Sequence, residues 1–364
     1  MVDIIPEKAR KGRGAISNPV GRFEPAQRFA TDDGWQVQSG DEGDNDTPPV
    51  RTTVLRDATR SIITKNDSPD VNFDRSINPY RGCEHGCIYC FARPSHGYLG
   101  LSTGLDFETK ILVKPDAPAL LAAELSKPNY KPAVIALGTN TDPYQPLERE
   151  MKITRGIFET LARFNHPFSL VTKSALVLRD LDVIGPMAKK NLVRVFLSIT
   201  TLDRHLANTM EPRASTPTRR LAAVKALNEA GVPTGVMAAP MIPALNDDEL
   251  EAILEAAKAA GARSAGYTLL RLPFEIKDLF AEWLEEHAPL KAKHVLNLIK
   301  ETRGGRLNDP NFGSRMRGQG VYAELLHKRF QLASQRLGLN KNDWNPDLSQ
   351  FAVPPRPGDQ LKLL

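Results

Sequence analysis

The chain has 364 residues, of which 41% are hydrophobic and 25% are charged, and its formal net charge is +5 at pH 7. This composition is that of a soluble globular protein with one large domain or two ordinary ones. It excludes a membrane-spanning protein, because no stretch approaches the apolar length of a membrane span, and the first residues lack an apolar core of signal-peptide length. We therefore expect a cytoplasmic protein with no membrane partner, in a compartment that keeps thiols reduced.

Residues 1–70 are predicted to form a flexible, irregular N-terminal arm. The segment 31–50 is rich in Asp, Gly and Pro and has little apolar periodicity, which is typical of a flexible surface segment. The segment 11–24 before it is basic and contains glycines, and we expect it to be either docked or disordered.

A regular alternation of strands and helices is predicted from about Ser76 onward. Short apolar runs suited to buried parallel strands lie at 76–80, 133–138, 168–173, 193–200, 232–240 and 264–272. Helical patterns between them lie at 153–164, 216–231 and 246–261. This order predicts an α/β fold: a parallel sheet with crossover helices, as a closed or partial barrel or an open doubly wound sheet. Functional groups should collect at the carboxyl ends of the strands.

The last part of the chain, 276–364, is predicted to be a helical, basic extension of a barrel domain that spans 71–275. Between Lys291 and Leu364 there are more than twice as many Lys and Arg residues as Asp and Glu residues. Four arginines of the extension lie in a Gly-rich stretch: Arg303, Arg306, Arg315 and Arg317. Such a stretch could approach a phosphate backbone closely.

All three cysteines of the chain fall within eight residues, at Cys83, Cys87 and Cys90, directly after the first predicted strand. Three thiols cannot form a disulfide framework, so a cluster this tight indicates one shared ligand, either zinc or an iron–sulfur cluster. A structural zinc site would need a fourth ligand, which His85 or His96 could supply. A four-iron cluster on three cysteines would instead leave one iron open for chemistry, and the sequence favours this catalytic reading.

The C-x3-C-x2-C spacing after a first strand, with Tyr89 before the last cysteine and a β/α repeat behind it, resembles the radical S-adenosylmethionine (SAM) superfamily. The resemblance covers about 76–273. It implies a partial (β/α)6 barrel of TIM-like architecture, in which the three cysteines hold a [4Fe-4S] cluster. It also implies an enzyme that cleaves S-adenosyl-L-methionine reductively to a 5′-deoxyadenosyl radical, which abstracts hydrogen from a substrate. An electron donor such as flavodoxin or ferredoxin would then be a partner.

A finer resemblance, to the spore photoproduct lyase branch, rests on the segments GCEHGCIYCFAR, GTNTDPYQPLE, LVTKS and FLSITTLD, with EPRAS after them. It implies that SAM is bound by residues at or just after the strand ends: Thr139, Asn140, Lys173, Ser198 and Arg213. In this correspondence Thr139 offers a hydroxyl to the methionyl group, and Lys173 meets the carboxylate or the ribose. Ser198 lies at a polar edge of the ribose and Arg213 approaches the carboxylate. Each is also an ordinary loop or strand-end residue, and Arg213 could instead pair with Glu211.

The chain departs from the lyase branch at two positions. The lyases carry a hydrogen-donor cysteine just ahead of the hydroxyl that corresponds to Thr139, and this chain has Gly138 there. They also have a tyrosine directly after the last cluster cysteine, where this chain has Phe91, whereas the catalytic Tyr89 is kept. We therefore predict a radical SAM enzyme that is not a spore photoproduct lyase.

The sequence leaves the substrate open. Six further polar residues could face the barrel mouth: Asp142, Tyr144, Glu211, Asn246, Tyr267 and Arg271. The basic extension favours nucleic acid over a peptide as the substrate. Two alternatives stay open: a zinc-stabilised nucleic-acid-binding protein without catalysis, and an electron-transfer protein that carries a cluster but uses no SAM.

Overall fold

The computed structural model describes residues 8–24 and 51–355. The predicted flexible segment at 31–50 lies outside these residues. The strands of the described part are β1 (Thr53–Arg56), β2 (Thr64–Lys65), β3 (Arg75–Ile77), β4 (Tyr80–Arg81), β5 (Lys110–Val113), β6 (Ile135–Leu137), β7 (Phe168–Thr172), β8 (Val193–Ser198), β9 (Thr234–Met241) and β10 (Ser264–Leu269).

The α-helices of the same part are α1 (Leu105–Thr109), α2 (Ala117–Leu125), α3 (Glu148–Met151), α4 (Ile153–Arg163), α5 (Leu181–Lys189), α6 (Arg204–Met210), α7 (Pro217–Glu229), α8 (Leu250–Ala259), α9 (Ile276–His287), α10 (Pro289–Glu301), α11 (Ser314–Arg317) and α12 (Gly320–Arg336). Short 3-10 helices lie at Arg93–Ser95, Gly97–Leu99, Ala175–Asp180, Asp247–Glu249 and Leu348–Gln350. None of the helices in the described ranges is both long and apolar enough to cross a bilayer.

The main sheet has seven strands in the order β10-β9-β8-β7-β6-β3-β2 among the described residues. Six of them, β3 and β6 to β10, are parallel and lie side by side in chain order. The two-residue strand β2 pairs antiparallel with β3 at one edge. This arrangement confirms the predicted partial (β/α)6 barrel and places the carboxyl ends of six strands along one rim, which we call the mouth. The opposite rim, formed by the amino ends, we call the floor.

The predicted apolar runs form these strands because their side chains are buried or partly buried on both faces of the sheet. In β6, for example, all three residues are buried between neighbouring strands and helices. The crossover helices begin and end near the predicted residues. Helix α7 has Pro217 at its first position, and the chain leaves it through Gly231 in the left-handed conformation, at φ +79°.

A second, small sheet of order β1-β5-β4 was not predicted. Its strand β1 is exposed along its whole length, so it carries no apolar signal. The sheet covers the start of the cysteine segment, because β4 ends at Arg81, two residues before Cys83.

The described part of the N-terminal arm, 8–24, packs against the segment that follows the cysteines. The backbone N–H groups of Gly14 and Ala15 donate to the two carboxylate oxygens of Glu108, at 3.0 and 2.8 Å. The Asn18 side chain donates to Asp106 at 3.1 Å. Residues 8–24 therefore belong to the folded body.

The C-terminal extension packs against the barrel through two of its helices. Helix α9 buries Trp283 in an apolar core that also contains Ile88 and Met210 near the mouth. Helix α12 lies on α8, where Arg329 pairs with Glu251 at 2.6 Å. The predicted domain boundaries at 70 and 275 remain predictions.

The segment 341–355 then crosses the floor as a strap. The Asn191 side chain donates to the carbonyl of Asn345 at 2.7 Å, and the Ala352 N–H donates to the carbonyl of Phe164 at 3.1 Å. The ring of Phe351 lies at 5.5 Å from the ring of His166, at an interplanar angle of 90°.

Candidate active site

The cysteine loop, residues 82–91, lies at the mouth, beyond β3 and β4. Gly82 and Gly86 take the left-handed conformation, which lets the chain turn twice within five residues. The Cys83 N–H donates to the carbonyl of Phe107 at 2.9 Å, and the Ile88 N–H donates to that of Met210 at 3.0 Å. Cys83 and Cys87 are buried, Cys90 is partly exposed, and all three thiols are free.

A buried ion pair fixes the back of this loop. The guanidinium of Arg93 donates to the carbonyls of Gly86 and Cys87, at 3.1 and 2.9 Å, and pairs with Glu108 at 2.5 Å. Both side chains are fully buried. Glu108 also accepts the two N–H groups of the N-terminal arm, so the arm and the loop share one anchor.

The thiols lie in a strongly perturbing electrostatic environment. Burial raises the pKa of the Cys83 thiol well above its ordinary value, and Asp142 and the other two cysteines raise it further. Burial also raises the pKa of Cys87 to about 12, although the nearby ammonium of Lys173 works in the opposite direction. The positive charge of Lys173 is therefore placed where a thiolate would need it.

Lys173 belongs to a buried polar network. Its ammonium lies 5.7 Å from the ring centroid of Tyr89, whose hydroxyl donates to Glu211. Glu211 pairs with the buried Arg220 and accepts a hydrogen bond from Thr200 at 2.5 Å. Burial works to raise the pKa of Glu211, but Arg220 and then Lys173 outweigh it and lower that pKa to about 2. Glu211 is thus a permanent anion that orients the Tyr89 hydroxyl.

Asp142 holds a second network on the other side of the loop. It accepts from the Thr172 hydroxyl and the Lys173 N–H, both at 2.7 Å, and its carboxylate lies 3.3 Å from Nδ1 of His85. Burial works to raise the pKa of Asp142, but His85 and these hydrogen bonds lower it to about 2.

The donor set fits an iron–sulfur cluster better than a structural zinc ion. The two histidines that could complete a zinc site have other partners: His85 faces Asp142, and Nε2 of His96 bonds the carbonyl of Lys110 at 2.9 Å. No three His, Cys, Asp or Glu side chains of the described residues are arranged to hold a single metal ion. Three free thiols on one loop, with a cation beside Cys87, are the donors that a multi-iron cluster uses.

The residues expected to bind SAM lie at successive strand ends. Thr139 and Asn140 follow β6, where the Asn78 side chain donates to the Thr139 hydroxyl at 3.4 Å and accepts from the Asn140 N–H at 3.1 Å. Lys173 follows β7, and Ser198 is the last residue of β8. Parallel neighbouring strands bring all four to the mouth.

Arg213 is placed differently from its simplest sequence interpretation. It pairs with Glu84 of the cysteine loop at 2.9 Å, whereas Glu211 pairs with Arg220. Its N–H donates to the carbonyl of His85 at 3.3 Å. Arg213 therefore contacts the loop, and its role toward SAM remains a prediction.

Several other expected mouth residues have structural partners instead. Tyr144 is buried and donates to Asp180 at 2.8 Å. The Asn246 side chain is buried and donates to the carbonyl of Thr200 at 2.7 Å. The hydroxyl of Tyr267 bonds His327 on α12 at 3.1 Å.

Two of the four arginines in the Gly-rich stretch also have partners within the protein. Arg303 is buried and donates to the carbonyls of Leu269 and Leu270, at 3.2 and 2.7 Å, so it anchors the end of β10. Arg315 pairs with Asp70. Arg306 and Arg317 are exposed, as the prediction of a phosphate-binding stretch requires.

A group of exposed aromatic rings, each beside an arginine, borders the mouth. We call them the mouth aromatics, and their exposed fractions run from 48% to 70%: Phe23, Phe91, Tyr98, Phe274 and Phe312. The guanidinium of Arg22 lies 3.9 Å from the ring centroid of Phe274 and 5.6 Å from that of Tyr98. Arg271 lies 5.5 Å from Phe91, and Arg315 lies 4.3 Å from Phe312.

Sequence reasoning missed the buried charges that support the loop, namely Arg93, Glu108 and Arg220. A charged residue inside a helix or loop is normally solvent-exposed, and no local pattern marks these three as buried. The mouth aromatics were missed because they come from distant parts of the chain.

Comparisons with known proteins agree with this geometry. Residues 77–257 match the family model described as the Radical SAM superfamily. An uncharacterized protein of Mycobacterium tuberculosis is 39% identical over 219 residues, which is 60% of this chain and 64% of that protein. An uncharacterized protein of Methanocaldococcus jannaschii is 31% identical over 173 residues, 48% of this chain and 62% of that protein. The chain thus spans less than two thirds of the length of these curated relatives.

Among solved structures, spore photoproduct lyase complexed with dinucleoside spore photoproduct superimposes with a TM-score of 0.55, at 17% identity, over 79% of this chain and 80% of that chain. A lyase mutant with bound AdoMet and dinucleoside spore photoproduct gives a TM-score of 0.54 at 17% identity, with the same coverage. At this identity the likeness establishes the fold alone. With the family match across the barrel and the three-cysteine loop at its mouth, residues 77–257 belong to the radical SAM superfamily.

Proposed function

We propose that this chain is a radical SAM enzyme that holds a [4Fe-4S] cluster on Cys83, Cys87 and Cys90 and acts on nucleic acid bound at its mouth. The observation that carries the proposal is the convergence of three free thiols with Lys173 and Tyr89 at the carboxyl ends of adjacent parallel strands. Bound there, the cluster would supply the electron that cleaves SAM reductively to a 5′-deoxyadenosyl radical.

The residues around the loop have separate tasks in this proposal. Lys173 offsets the negative charge of the thiolates from beside Cys87. Glu211 stabilises the Lys173 ammonium electrostatically and accepts the hydrogen bond of the Tyr89 hydroxyl. Tyr89 is the catalytic residue that we assign next to the cluster ligands. A buried phenol that donates its hydrogen bond to an ionised carboxylate is oriented by that bond and stays protonated.

SAM is proposed to bind across the ends of β6, β7 and β8. The Thr139 hydroxyl, the Asn140 amide, the Lys173 ammonium and the Ser198 hydroxyl offer the polar groups that a zwitterionic sulfonium ligand needs. Their positions on three successive strands support this assignment.

Nucleic acid is proposed as the substrate because of the mouth aromatics. Exposed rings alternating with arginines can stack unpaired bases and contact phosphates, and each stacked base contributes about 1–3 kcal/mol. The structural neighbours include spore photoproduct lyase with dinucleoside spore photoproduct, which supports the same class. Gly138 still argues against the lyase reaction itself, because the position that holds the donor cysteine in those enzymes has no side chain here.

Anaerobic reconstitution with iron and sulfide tests the first half of the proposal. We expect a reduced [4Fe-4S] EPR signal that changes when SAM is added, with 5′-deoxyadenosine formed in the same tubes. Cys83→Ala, Cys87→Ala and Cys90→Ala should each lose the signal. Ser95→Ala, which removes a buried hydroxyl that has no hydrogen-bond partner among the described residues, should keep it. One zinc per chain with no iron uptake would contradict the proposal.

Binding of fluorescent oligonucleotides tests the second half. Phe274→Ala should weaken the binding of single-stranded DNA or RNA by about 1–3 kcal/mol, whereas Leu332→Ala, an exposed apolar residue on α12, should leave it unchanged. Equal losses in both variants, or tighter binding of an acidic peptide than of any oligonucleotide, would refute a nucleic-acid substrate.

A further inference from the structure

A small cavity of about 150 Å³ lies beside the cysteine loop, apart from the mouth aromatics. The residues of its lining that matter here are His85, Arg149, Arg213, Ser215, Thr216 and Arg219. Cavities that enclose drug-sized ligands measure about 300–1,000 Å³. This one is therefore sized for a small chemical group.

The cavity is strongly positive. Three arginines line it, and no carboxylate does so among the described residues. Arg213 is partly neutralised by Glu84, at 2.9 Å. Arg149 and Arg219 have no side-chain hydrogen bond or ion pair with any part of the chain that the structure describes. Two uncompensated guanidinium groups thus face one small space.

The start of helix α7 adds hydrogen-bond donors to the same space. Thr216 occupies the position before the helix, but its side chain makes no capping hydrogen bond. Pro217 is the first helical residue, so the next N–H groups form the free, positive end of a helix of 13 residues. Ser215 accepts from the Ala175 N–H at 2.9 Å through its hydroxyl oxygen, which leaves the hydroxyl proton available to a ligand.

His85 joins the cavity to the cysteine loop. It is buried between Cys83 and Cys87, and its Nδ1 atom faces Asp142 at 3.3 Å and makes no hydrogen bond of good geometry in the described structure. The carbonyl of His85 accepts the Arg213 N–H. A group bound in the cavity would therefore contact the loop that carries the thiols.

From these contacts we propose that the cavity is an anion site that binds a phosphate group through Arg149, Arg213, Arg219 and the first turn of α7. Paired guanidinium groups and helix N–H groups match the oxygen geometry of phosphate. The phosphate is either a terminal monoester or a diester within a nucleic-acid backbone. None of its donors is a cluster ligand, and of the four groups only Arg213 is also a predicted SAM contact.

The test measures the binding of inorganic phosphate to the full chain without iron, by 31P line broadening at low salt. Wild type should broaden the signal, and the double variant Arg149→Ala/Arg219→Ala should bind at least about tenfold more weakly, as expected for the loss of two charge-assisted contacts. The control is Lys291→Ala/Lys293→Ala, which removes the same charge from two exposed side chains on α10. It should bind as wild type does.

Equal binding by all three proteins would overturn the proposal, because Arg149 and Arg219 would then not bind phosphate. Equal weakening in the two double variants would also overturn it, because the effect would then come from net charge alone. Displacement of phosphate by one equivalent of SAM would also overturn it, because the cavity would then belong to the cofactor.

A nucleoside 5′-monophosphate and a dinucleoside phosphate distinguish the two sources of the phosphate group. If the double variant binds only the monophosphate more weakly than wild type, the site takes a terminal phosphate. If it binds both compounds more weakly, the site takes a backbone phosphate. Neither result depends on whether a cluster or a radical forms.

Discussion

Gly138 shows that the difference from spore photoproduct lyases is built into the backbone as well as the sequence. It has φ +81°, and a Cβ atom at this position would overlap the carbonyl oxygen of Val171. A cysteine therefore cannot occupy the position without moving β7. In the radical chemistry that we propose, any final hydrogen transfer would therefore use other groups.

We predict that Gly138→Ala lowers the free energy of unfolding by roughly 2–4 kcal/mol, the sum of left-handed strain and steric overlap. Gly304→Ala is the control, because Gly304 also has a positive φ, of +60°, but open space around it. Denaturant unfolding of the iron-free chain measures both. Equal losses would mean that the overlap at Gly138 has no cost.

The stability of the fold should depend strongly on the buried ion pair between Glu211 and Arg220. Arg220→Met would leave Glu211 anionic, buried and without its main partner, and we predict a loss of roughly 3–5 kcal/mol in unfolding free energy. Adding Glu211→Gln should recover part of this loss. Arg219→Met, one residue away and exposed, should have little effect. The three variants form a double-mutant cycle. If the loss of unfolding free energy in the double variant equals the sum of the losses in the two single variants, the two charges are not coupled.

At the level of elements, the N-terminal segment and the cysteine loop depend on each other. A Cβ atom on Gly14 would overlap the carbonyl oxygen of Gly86 inside the loop. We predict that Gly14→Ala detaches the arm, so that trypsin cleaves at Arg10, Lys11 and Arg13 faster than in wild type. Lys8→Ala, on the exposed start of the same arm, should leave the cleavage rate at those three sites unchanged. An intact arm in Gly14→Ala would mean that the loop can move aside.

The connection between α4 and β7 should make stability depend on pH. Burial lowers the pKa of His166 to about 4, against 6.5 for an ordinary histidine, and its Nε2 atom lies 2.7 Å from the Tyr130 hydroxyl. Between pH 6.5 and 4 the unfolded chain binds a proton that the folded chain excludes, so stability falls as pH falls, by roughly 3 kcal/mol in all. His166→Gln should show a smaller loss across this range in denaturant midpoints. If the denaturant midpoint of His166→Gln falls with pH as steeply as that of wild type, the pH dependence comes from other groups.

The elements that the sequence predicted are those with a repeating apolar signal. The strands β6 to β10 and helices such as α7 carry buried side chains at regular spacing, and local rules suffice for them. Strand β1 has no such signal, because all of its residues are exposed, and its partner β5 follows more than 50 residues later. The cysteine spacing revealed the site, but Arg93, Glu108 and Arg220 are recognisable as parts of it only when their partners are folded around them.

For the whole molecule, the strap links the end of the described chain to the floor of the barrel. We predict that truncation after residue 340 lowers the free energy of unfolding by about 2–4 kcal/mol, because the contacts of Phe351 with Phe164, His166 and Tyr130 are lost. Truncation after residue 355 is the control, since it keeps the strap. Similar midpoints for the two truncated chains would show that the floor is stable without its cover.

The position of the strap also has a consequence in time. A ribosome makes the chain from its amino end, so the cysteine loop and the six parallel strands are synthesised before residues 341–355. The barrel floor therefore stays open until residues 341–355 have been synthesised. A nascent chain that pauses before Phe351 thus carries all three thiols on a barrel whose floor is still uncovered, so exposure of the thiols precedes closure of the floor.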